Sequence, residues 1–343
     1  MKQLKFAVFG TGFWSHFQIP GWLELEGLEL VALYNRTNES AKKVGEKYGI
    51  EKIYDDPEAL LDNEELDFID IITDVDTHLR FTALAAERGL DVVCQKPMAA
   101  SLSDAQKMLK TCKDHRVKLF INENFRWQAP IRRVKEIVDS GEIGEVFKGR
   151  VTFCSGFPVF DNQPFLKELD RFILTDIGSH ILDICRFLFG EVKRLYCLRN
   201  RVNSSIKGED VANVLMEMKN GIHCYAEMSY ASILEKEVFP QTLLLIEGAD
   251  GSVQLNPGYR ISITTGKGTT REEIQPIFYD WIDPEYAVIH SSIVDTQRDI
   301  LEGLRGGKAE TTGSDNYETV KLVWASYFSG ENNQLVDLEK YGK

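Results

Sequence analysis

The sequence predicts an α/β domain on a doubly wound parallel sheet, followed by an α+β domain on a largely antiparallel open sheet. Up to about residue 123, short apolar runs alternate with helical patterns, which is typical of a parallel sheet covered by helices on both faces. Beyond that point the runs are longer, alternate polar and apolar residues, and are joined by tight-turn residues. We therefore expect domains at 1–123 and 124–343.

Six strands and two clear helices are predicted in the first domain. The helix over His78–Arg88 is rich in Ala and Leu and ends at Gly89, and the helix over Ser103–Arg116 follows a capping-box pattern that begins at Ser101. The strands are predicted over Leu4–Gly10, Leu28–Asn35, Lys52–Tyr54, Phe68–Thr73, Val92–Gln95 and Val117–Ile121.

The second domain begins its clearest pattern with a hairpin. Val211–Met218 and Ile222–Tyr230 flank Asn220-Gly221, a dipeptide suited to a two-residue turn that needs positive φ. The last predicted helix, about 316–328, is a candidate to pack back on the first domain. Further strands are predicted over Val146–Cys154, Val192–Arg199, Thr242–Glu247 and Ser252–Leu255, and helices over Pro130–Ser140, Asp176–Phe189, Ser291–Leu304 and Asn316–Phe328.

Charge and apolar pattern restrict the class of protein. The 343 residues include 40 Lys and Arg against 53 Asp and Glu, and the net charge of −13 opposes binding to nucleic acid and to acidic membranes. With no leader-like segment before the first strand and no apolar run of membrane-spanning length, we expect a cytoplasmic protein. The six cysteines form no C-x-x-C pair, so we expect reduced core thiols.

A glycine-rich turn, Gly10-Thr-Gly12-Phe-Trp-Ser15, follows the first strand and opens a helical segment. Glycines there permit a tight turn and close backbone approach to a pyrophosphate at the helix N-terminus. The third glycine position holds Ser15, and an ordinary strand–helix turn is the alternative. In its alternating βα context the motif predicts a Rossmann dinucleotide site, with Gly10, Gly12, Phe13 and Trp14 as coenzyme contacts.

The end of the second strand bears on the choice of coenzyme. An acidic residue there bonds the ribose 2′-hydroxyl of NAD, whereas an arginine favours the 2′-phosphate of NADP. This chain has Asn35-Arg36, so NADP is slightly favoured over NAD. Asn35 can still bond a 2′-hydroxyl, and Arg36 can instead stack on adenine. A solvent-facing turn without a role in coenzyme binding is the remaining alternative.

Four more motifs follow in order: Thr73-Asp-Val-Asp-Thr-His78, Cys94-Gln95-Lys96-Pro97, Asp176-Ile-Gly-Ser-His180-Ile-Leu-Asp183, and Glu209-Asp210 before a strand. With the glycine turn, they resemble the glucose-fructose oxidoreductase, inositol dehydrogenase and rhizopine-catabolism family, Gfo/Idh/MocA, over nearly the whole length. The resemblance implies coenzyme contacts from Thr73, His78 and Gln95, and catalysis without a metal.

The sequence departs from the family pattern at two places. Gln95 stands where the family usually has glutamate, which could alter the proton affinity of the adjacent lysine. Asp170-Arg171-Phe172-Ile173 stands where many relatives have a glycine-rich run, which would narrow or recharge the substrate pocket. A substrate cannot therefore be carried over from a better-known relative.

Lys96 is the candidate proton acceptor. Removing a hydride from an alcohol carbon requires a group within hydrogen-bond reach of the hydroxyl to take its proton. At the C-terminal end of a parallel strand Lys96 would lie where such folds bind ligands, and desolvation there favours the neutral amine. A surface lysine at a strand end is the alternative, which the following Pro97 and the resemblance make less attractive.

Asp176, His180 and Asp183 project from one face of a helix that is otherwise apolar. A polar stripe on an apolar helix must be satisfied by neighbours or by a ligand. We predict that His180 contacts the substrate hydroxyl and is the alternative base, and that Asp176 anchors the substrate and is the charge partner. For Asp183 two roles are left open: it belongs to the site, or it ties its helix to a neighbouring element.

The segment Asn122–Gln128 crosses the predicted domain junction and combines hydrogen-bond donors with aromatic faces, a composition suited to sugars and polyols. Arg126 and Trp127 are therefore candidates to contact substrate or nicotinamide, with interdomain packing as the alternative. A metal site built on the carboxylates and His180 is disfavoured because no second His or Cys lies at a familiar ligand spacing nearby.

These observations predict an oxidoreductase that transfers a hydride between NAD(P) and a hydroxyl or carbonyl carbon of a sugar, polyol or related small molecule. Net reduction of a ketose or of a lactone-level carbonyl is a rival direction. A catalytically weak, coenzyme-binding redox sensor is the rival from another class, because Gln95 could weaken Lys96. By analogy with the family, we also expect a homodimer or homotetramer.

Overall fold

The computed structural model describes residues 2–342 and divides them into two compact units. The first unit contains the chain up to Asn124 together with Tyr279–Asp283 and Ile293–Val320. The second contains Phe125–Phe278, Pro284–Ser292 and the chain from Lys321 onward. The division into domains at residue 123 stays a prediction, and so does the packing of the last helix, whose residues up to Val320 belong to the first unit.

The first unit contains a six-stranded parallel sheet in the order β3-β2-β1-β4-β5-β6, which confirms the predicted doubly wound fold. Its strands are β1 Leu4–Phe9, β2 Leu28–Tyr34, β3 Lys52–Tyr54, β4 Phe68–Ile71, β5 Asp91–Gln95 and β6 Leu119–Asn122. The helices between them are α1 Ser15–Leu23, α2 Asn38–Tyr48, α3 Pro57–Asn63, α4 His78–Ala86 and α5 Leu102–His115.

β6 begins two residues later than predicted because the backbone of Val117 is bonded to the end of α5. Arg116 adopts a left-handed conformation at φ 60°, and the amide of Val117 donates to the carbonyl of Cys112 at 3.0 Å. Val117 therefore caps the helix instead of pairing in the sheet.

The hydrophobic core of the first unit includes residues that lie far apart in the sequence. Phe6 and Val8 of β1 and Phe68 of β4 are fully buried in it. Ile300 and Leu301 share the same core, although they lie on α9 (Ala287–Leu304). Residues near the C-terminal end of the chain therefore complete the hydrophobic core of the parallel sheet.

The second unit contains a nine-stranded sheet in the order β14-β13-β12-β11-β7-β10-β9-β8-β15. All its pairs are antiparallel except β7 with β10, which confirms the predicted largely antiparallel fold. The strands are β7 Val146–Cys154, β8 Val192–Asn200, β9 Val211–Met218, β10 His223–Ser229, β11 Leu243–Gly248, β12 Gly251–Asn256, β13 Arg260–Thr265, β14 Gly268–Glu273 and β15 Val336–Asp337. The helices are α6 Ala129–Ser140, α7 Val159–Asn162, α8 Ile177–Phe189, α9, and α10 Gly313–Asn332; α9 and α10 each contribute residues to both units.

One face of this sheet carries the core, and α8 packs on it against β7 and β10. Alternate residues of each strand point inward, such as Ala212, Val214 and Met216 of β9, which are at most 1% exposed. On the opposite face, Leu198 is 58% and Leu215 55% exposed.

The hairpin between β9 and β10 differs from the predicted two-residue turn. The amide of Gly221 donates to the carbonyl of Met218 at 3.0 Å, and the amide of Met218 donates to the carbonyl of Ile222 at 2.9 Å. Three residues therefore form the loop, and only Gly221, at φ 89°, has positive φ. This is the three-residue hairpin in which a type I turn is followed by a left-handed glycine.

Candidate functional site

The glycine turn after β1 is fixed by the close approach of a neighbouring strand end. Gly10 has φ 106°, and a Cβ atom added to it would lie 2.6 Å from the carbonyl oxygen of Ile72. Any side chain would clash with that backbone, so glycine is required whether or not a ligand is bound.

Gly12 has a different reason to be glycine. Its φ is not positive, and a Cβ atom added to it would meet nothing within 4 Å. Within residues 2–342, the amides of Gly12, Phe13 and Trp14 donate to no acceptor, and they lie directly before the nine-residue helix α1. Open space beside three available amides at a helix start suits a pyrophosphate, so these residues fit a bound dinucleotide.

Asn35 lies beside this turn. Its Oδ1 accepts a hydrogen bond from the amide of Thr11 at 3.3 Å, and its Nδ2 donates to the carbonyl of Thr37 at 2.9 Å. The amide side chain therefore connects the end of β2 to the glycine turn. Arg36, the next residue, is exposed.

His78 connects the loop after β4 to the segment after β5. It is 1% exposed, with Nε2 3.0 Å from the carbonyl oxygen of Thr73 and Nδ1 3.3 Å from that of Met98. Burial lowers the pKa of His78, and a neutral imidazole donates to only one of these carbonyls at a time. Its observed partners are backbone atoms, and coenzyme contact by Thr73 and His78 stays a prediction.

Lys96 lies at the end of β5, in the first unit, and is half-buried. Gln95, which replaces the family's glutamate, accepts a hydrogen bond from the Lys96 amide through its Oε1 at 2.8 Å. The Gln95 side chain thus fixes the backbone on which Lys96 is carried. The Lys96-Pro97 peptide bond is cis.

The polar stripe of α8 lies in the second unit and packs on the 3₁₀ turn Phe125–Trp127. The imidazole of His180, 4% exposed, stacks on the ring of Phe125 with centroids 3.8 Å apart and planes at 5°. Asp183 is fully buried and accepts two hydrogen bonds from the guanidinium of Arg126, through Nε at 2.7 Å and through Nη2. The predicted common face is therefore present, and two of its members have partners from one turn.

Asp176 is the N-cap residue of α8, although its carboxylate caps no helix amide. It accepts a hydrogen bond from the hydroxyl of Tyr230 instead. Burial, together with the charge of Asp176, raises the pKa of Tyr230 well above its ordinary value. Tyr230 also packs its ring on Phe172, with centroids 5.7 Å apart.

Tyr230 and Phe125 were not identified as site residues from the sequence. Only Tyr230 had a pattern in the sequence that could have indicated its position. Cys224, Ala226 and Met228 alternate inward along β10, and Tyr230 continues the same parity toward α8. The stacking of Phe125 on His180 depends on tertiary packing that no spacing in the sequence encodes.

The junction residues have structural partners. The Arg126 guanidinium binds Asp183, which supports the helix-tying role for that aspartate. The Trp127 ring lies under the guanidinium of Arg132, 4.2 Å from its centroid, and the Trp127 Nε1 is buried without a hydrogen-bond partner in the described part of the chain. Substrate or nicotinamide contact by Arg126 and Trp127 stays a prediction.

Arg171, one of the residues that replaces the family's glycine-rich run, is directed to the C-terminal helix. Its Nη2 lies 3.0 Å from Glu331 Oε1, and its guanidinium lies over the ring of Trp324 at 4.8 Å. The guanidinium of Arg171 therefore has an ion-pair partner and an aromatic partner within the second unit. Phe172, which follows, is fully buried.

Three further properties bear on the site. Residues 2–342 contain no group of three or more His, Cys, Asp or Glu arranged to hold a metal ion. All six cysteines are free thiols, and only Cys154 is partly exposed. No helix in the described chain has the length and apolar content needed to cross a membrane.

Two segments of the chain match two family profiles. Residues 4–123 match the oxidoreductase family GFO/IDH/MocA with its NAD-binding Rossmann fold, and residues 131–254 match the GFO/IDH/MocA C-terminal domain. The resemblance inferred from the motifs is confirmed by these matches.

Individual relatives extend the similarity over nearly the full length. The chain is 41% identical to a D-apiose dehydrogenase of Rhizobium rhizogenes, covering 98% of each chain, and 42% identical to one of Paraburkholderia graminis, covering 99% of this chain and 91% of the other. It superposes with a TM-score of 0.96 on an Agrobacterium radiobacter oxidoreductase crystallised with NAD⁺, L-tartaric acid and magnesium, at 41% identity over 98% of this chain and 99% of that one. The chain therefore belongs to the GFO/IDH/MocA family of NAD(P)-dependent oxidoreductases.

Proposed function

We propose that this protein is a sugar dehydrogenase that oxidises a hydroxyl of D-apiose or of a closely related sugar. The observation that carries this proposal is the 41–42% identity to two D-apiose dehydrogenases over at least 98% of this chain. More distant relatives include a levoglucosan dehydrogenase and a myo-inositol 2-dehydrogenase, each similar over about half of this chain. The class of substrate is therefore better supported than any single sugar.

Proton removal is the part of the reaction that this chain must supply, because the nicotinamide coenzyme, when bound, takes up the hydride. Lys96 is the proposed proton acceptor, or the hydrogen-bonding catalyst, at the hydroxyl oxygen. The hydrogen bond from the Lys96 amide to Gln95 supports a fixed backbone at this position, and the half-burial of Lys96 supports a partly desolvated side chain. A fixed donor–acceptor geometry is what general acid–base catalysis requires.

His180 and Asp176 are proposed to hold the sugar. The stacking of His180 on Phe125 fixes the plane of the imidazole, so that its nitrogens keep one direction. Asp176 caps no helix amide, and its carboxylate, with up to four lone-pair sites, can accept bonds from sugar hydroxyls as well as from Tyr230. His180 is the alternative base in this scheme, and Asp176 the charge partner.

We also propose a preference for NADP(H) over NAD(H). The exposed Arg36 follows Asn35 at the end of β2, where a 2′-phosphate is recognised in this fold. NAD⁺ is the coenzyme in the crystals of the Agrobacterium radiobacter protein. That coenzyme is consistent with an asparagine that can still bond a ribose hydroxyl, so the proposed preference is one of degree.

A homodimer or homotetramer is the proposed assembly, by analogy with the family. The open face of the nine-stranded sheet, which exposes Leu198 and Leu215, is a suitable surface for it. Mass measurement in solution decides between the assembled forms and a monomer.

The test is a substrate panel with the purified protein: D-apiose, D-xylose, myo-inositol and levoglucosan, each with NAD⁺ and NADP⁺, followed by nicotinamide absorbance. We expect D-apiose to give the highest kcat/KM. The Lys96→Ala variant, purified in the same way, measures turnover by contaminating dehydrogenases. Coenzyme binding without turnover of any sugar would overturn the proposal in favour of the redox sensor.

A further inference from the structure

We propose that Glu209 is a positioning residue that holds the backbone from which Asp176 and the helix of His180 begin; this inference rests on the proposed function. Glu209 precedes β9, is 4% exposed, and has no part in the reaction proposed above. It acts on the turn between Phe172 and Asp176, in the same unit.

Two consecutive amides of this turn donate to Glu209. The amide of Ile173 donates to the Glu209 carbonyl at 3.1 Å, and the amide of Leu174 donates to Glu209 Oε1 at 3.3 Å. The carbonyl of Ile173 in turn accepts the amide of Gly178, in the first turn of α8, at 2.8 Å, so Glu209 holds the residue to which the start of the helix is bonded. Buried amides without these acceptors would each lose a hydrogen bond.

The backbone before Glu209 lies directly against the turn. A Cβ atom added to Gly208 would lie 2.7 Å from the carbonyl oxygen of Leu169 and 2.9 Å from the Phe172 amide nitrogen. The residue after it, Asp210, accepts the amide of Tyr230 through its carbonyl at 2.9 Å. The Glu209-Asp210 segment thus holds both the turn that carries Asp176 and the tyrosine that donates to Asp176.

Glu209 is itself held by two donors. The hydroxyl of Tyr327 donates to Oε1 at 2.7 Å, so Oε1 serves both this hydroxyl and the Leu174 amide. Arg199 lies near the other oxygen, with Nη1 3.5 Å from Oε2. The side-chain contact to the turn therefore uses Oε1, and the charge contact uses Oε2, while the Ile173 amide bonds the main-chain carbonyl, which a substitution of the side chain leaves in place.

This separation gives two conservative variants with opposite expectations. Glu209→Gln can keep Oε1 on Leu174 and Tyr327, and it loses the charge and the acceptor that face Arg199. Glu209→Asp keeps the charge and withdraws the carboxylate by one methylene from the turn. If the position of the carboxylate oxygen matters, Glu209→Asp should lose activity. If the charge matters, Glu209→Gln should lose activity instead.

The experiment measures kcat for sugar oxidation, the coenzyme Kd, and amide hydrogen exchange over residues 171–178 in the full chain. For Glu209→Asp we expect faster exchange in this segment, a kcat lowered roughly 10–100-fold, and an unchanged coenzyme Kd. Glu209→Gln should stay close to the wild type in all three. Glu331→Gln is the matched control, because this carboxylate pairs with Arg199 and Arg171 and, among the described residues, is hydrogen-bonded to no amide of the turn.

Val253→Ala, a core change on β12, controls for lost stability alone and should not reproduce the kcat loss. Unchanged exchange in Glu209→Asp, an unchanged kcat despite faster exchange, or greater damage in Glu209→Gln would each overturn the inference. If the wild type oxidises no sugar, the proposed function fails separately, and the exchange measurement still decides whether Glu209 holds the turn.

Discussion

The two units build their candidate sites from different materials. In the first, the glycine turn that is the predicted coenzyme site is made of backbone: Gly10 is required by the approach of Ile72, and the amides of Gly12, Phe13 and Trp14 donate to no acceptor within residues 2–342. In the second, side chains are fixed by other side chains, as in the His180 stack on Phe125 and the Arg126–Asp183 ion pair.

The difference teaches where specificity can change. A backbone site recognises a group that every dinucleotide shares, and few substitutions can alter it without breaking the turn. A site of mutually supported side chains can be retuned at one position, but each change also removes a partner from its neighbour. Coenzyme binding and sugar turnover should therefore respond separately to substitution.

The largest expected effect is on chemistry from the first unit. We expect Lys96→Ala to lower kcat by about 10⁴-fold, since proton transfer loses its acceptor, while coenzyme Kd stays nearly constant. Steady-state kinetics and a fluorescence titration measure the two quantities. Lys110→Ala, on the exposed surface of α5, is the control. A wild-type kcat in Lys96→Ala would remove the lysine from the mechanism.

In the second unit, breaking the buried ion pair should cost stability. Asp183→Asn removes the negative charge that pairs with Arg126, which is 5% exposed, and we expect the free energy of unfolding to fall by about 3–5 kcal/mol. Denaturant unfolding measures it. The double variant Arg126→Met, Asp183→Leu should recover most of the loss because neither position of this ion pair then holds a charge. A loss below about 1 kcal/mol in the single variant would contradict a structural role.

His180→Ala should lower kcat by about 10²–10³-fold and change the shape of the pH–rate profile. Phe125→Leu is the comparison variant, because it removes the stacked ring and leaves the imidazole. We expect it to lower kcat less than His180→Ala does. Should His180→Ala reduce the melting temperature and leave kcat intact, the histidine would be a core residue only.

Replacing the buried Asp70 of β4 by asparagine should raise the stability of the protein, whereas the same replacement of Asp183 should lower it. Its carboxylate accepts hydrogen bonds from the Trp22 indole at 2.7 Å and the Asn122 amide at 3.1 Å, and burial raises the pKa of Asp70 to about 7. The protonated form stabilises the fold. Because the unfolded pKa is about 3.9, this stability is complete below about pH 4 and is lost as pH rises through about 7.

Asp70→Asn should therefore stabilise the protein at pH 8 by about 2–4 kcal/mol relative to wild type, with little gain at pH 4. The new amide can be matched if Asn122 turns its own amide, whose Oδ1 has no partner within residues 2–342. Thermal unfolding at both pH values measures the difference. A destabilised variant at pH 8 would show that the carboxylate is needed ionised.

The smallest expected effect is on coenzyme choice. Arg36→Ala should weaken NADP(H) by about 1.5–3 kcal/mol more than NAD(H), since a charge-assisted bond to the 2′-phosphate is lost. Asn35→Asp should act in the same direction by placing a carboxylate beside that phosphate. Titration of both coenzymes into the three proteins measures the differences. Equal losses for both would indicate that Arg36 stacks on adenine.

The same contrast explains how much of the molecule could be predicted. The parallel sheet, the Gly10 turn and the α8 stripe follow from local patterns, because strand–helix alternation and helical spacing are properties of short segments. β14 was missed because its residues are polar and exposed at the sheet edge, so no alternation marks it. Of the partners of the stripe residues, Tyr230 had the alternation along β10 as a signal, whereas Phe125 and Arg126 meet α8 only after folding and were not predictable as its partners.

The interleaved path of the chain limits how coenzyme preference can be engineered. A chimera that exchanged only residues 1–123 for those of a relative would leave Ile300 and Leu301 packed against a foreign core. Gly303 is equally constrained, because a Cβ atom there would lie 2.6 Å from the Phe120 ring. A functional chimera must therefore transplant Ile293–Val320 together with the N-terminal segment, so the transferable cassette is discontinuous in the gene.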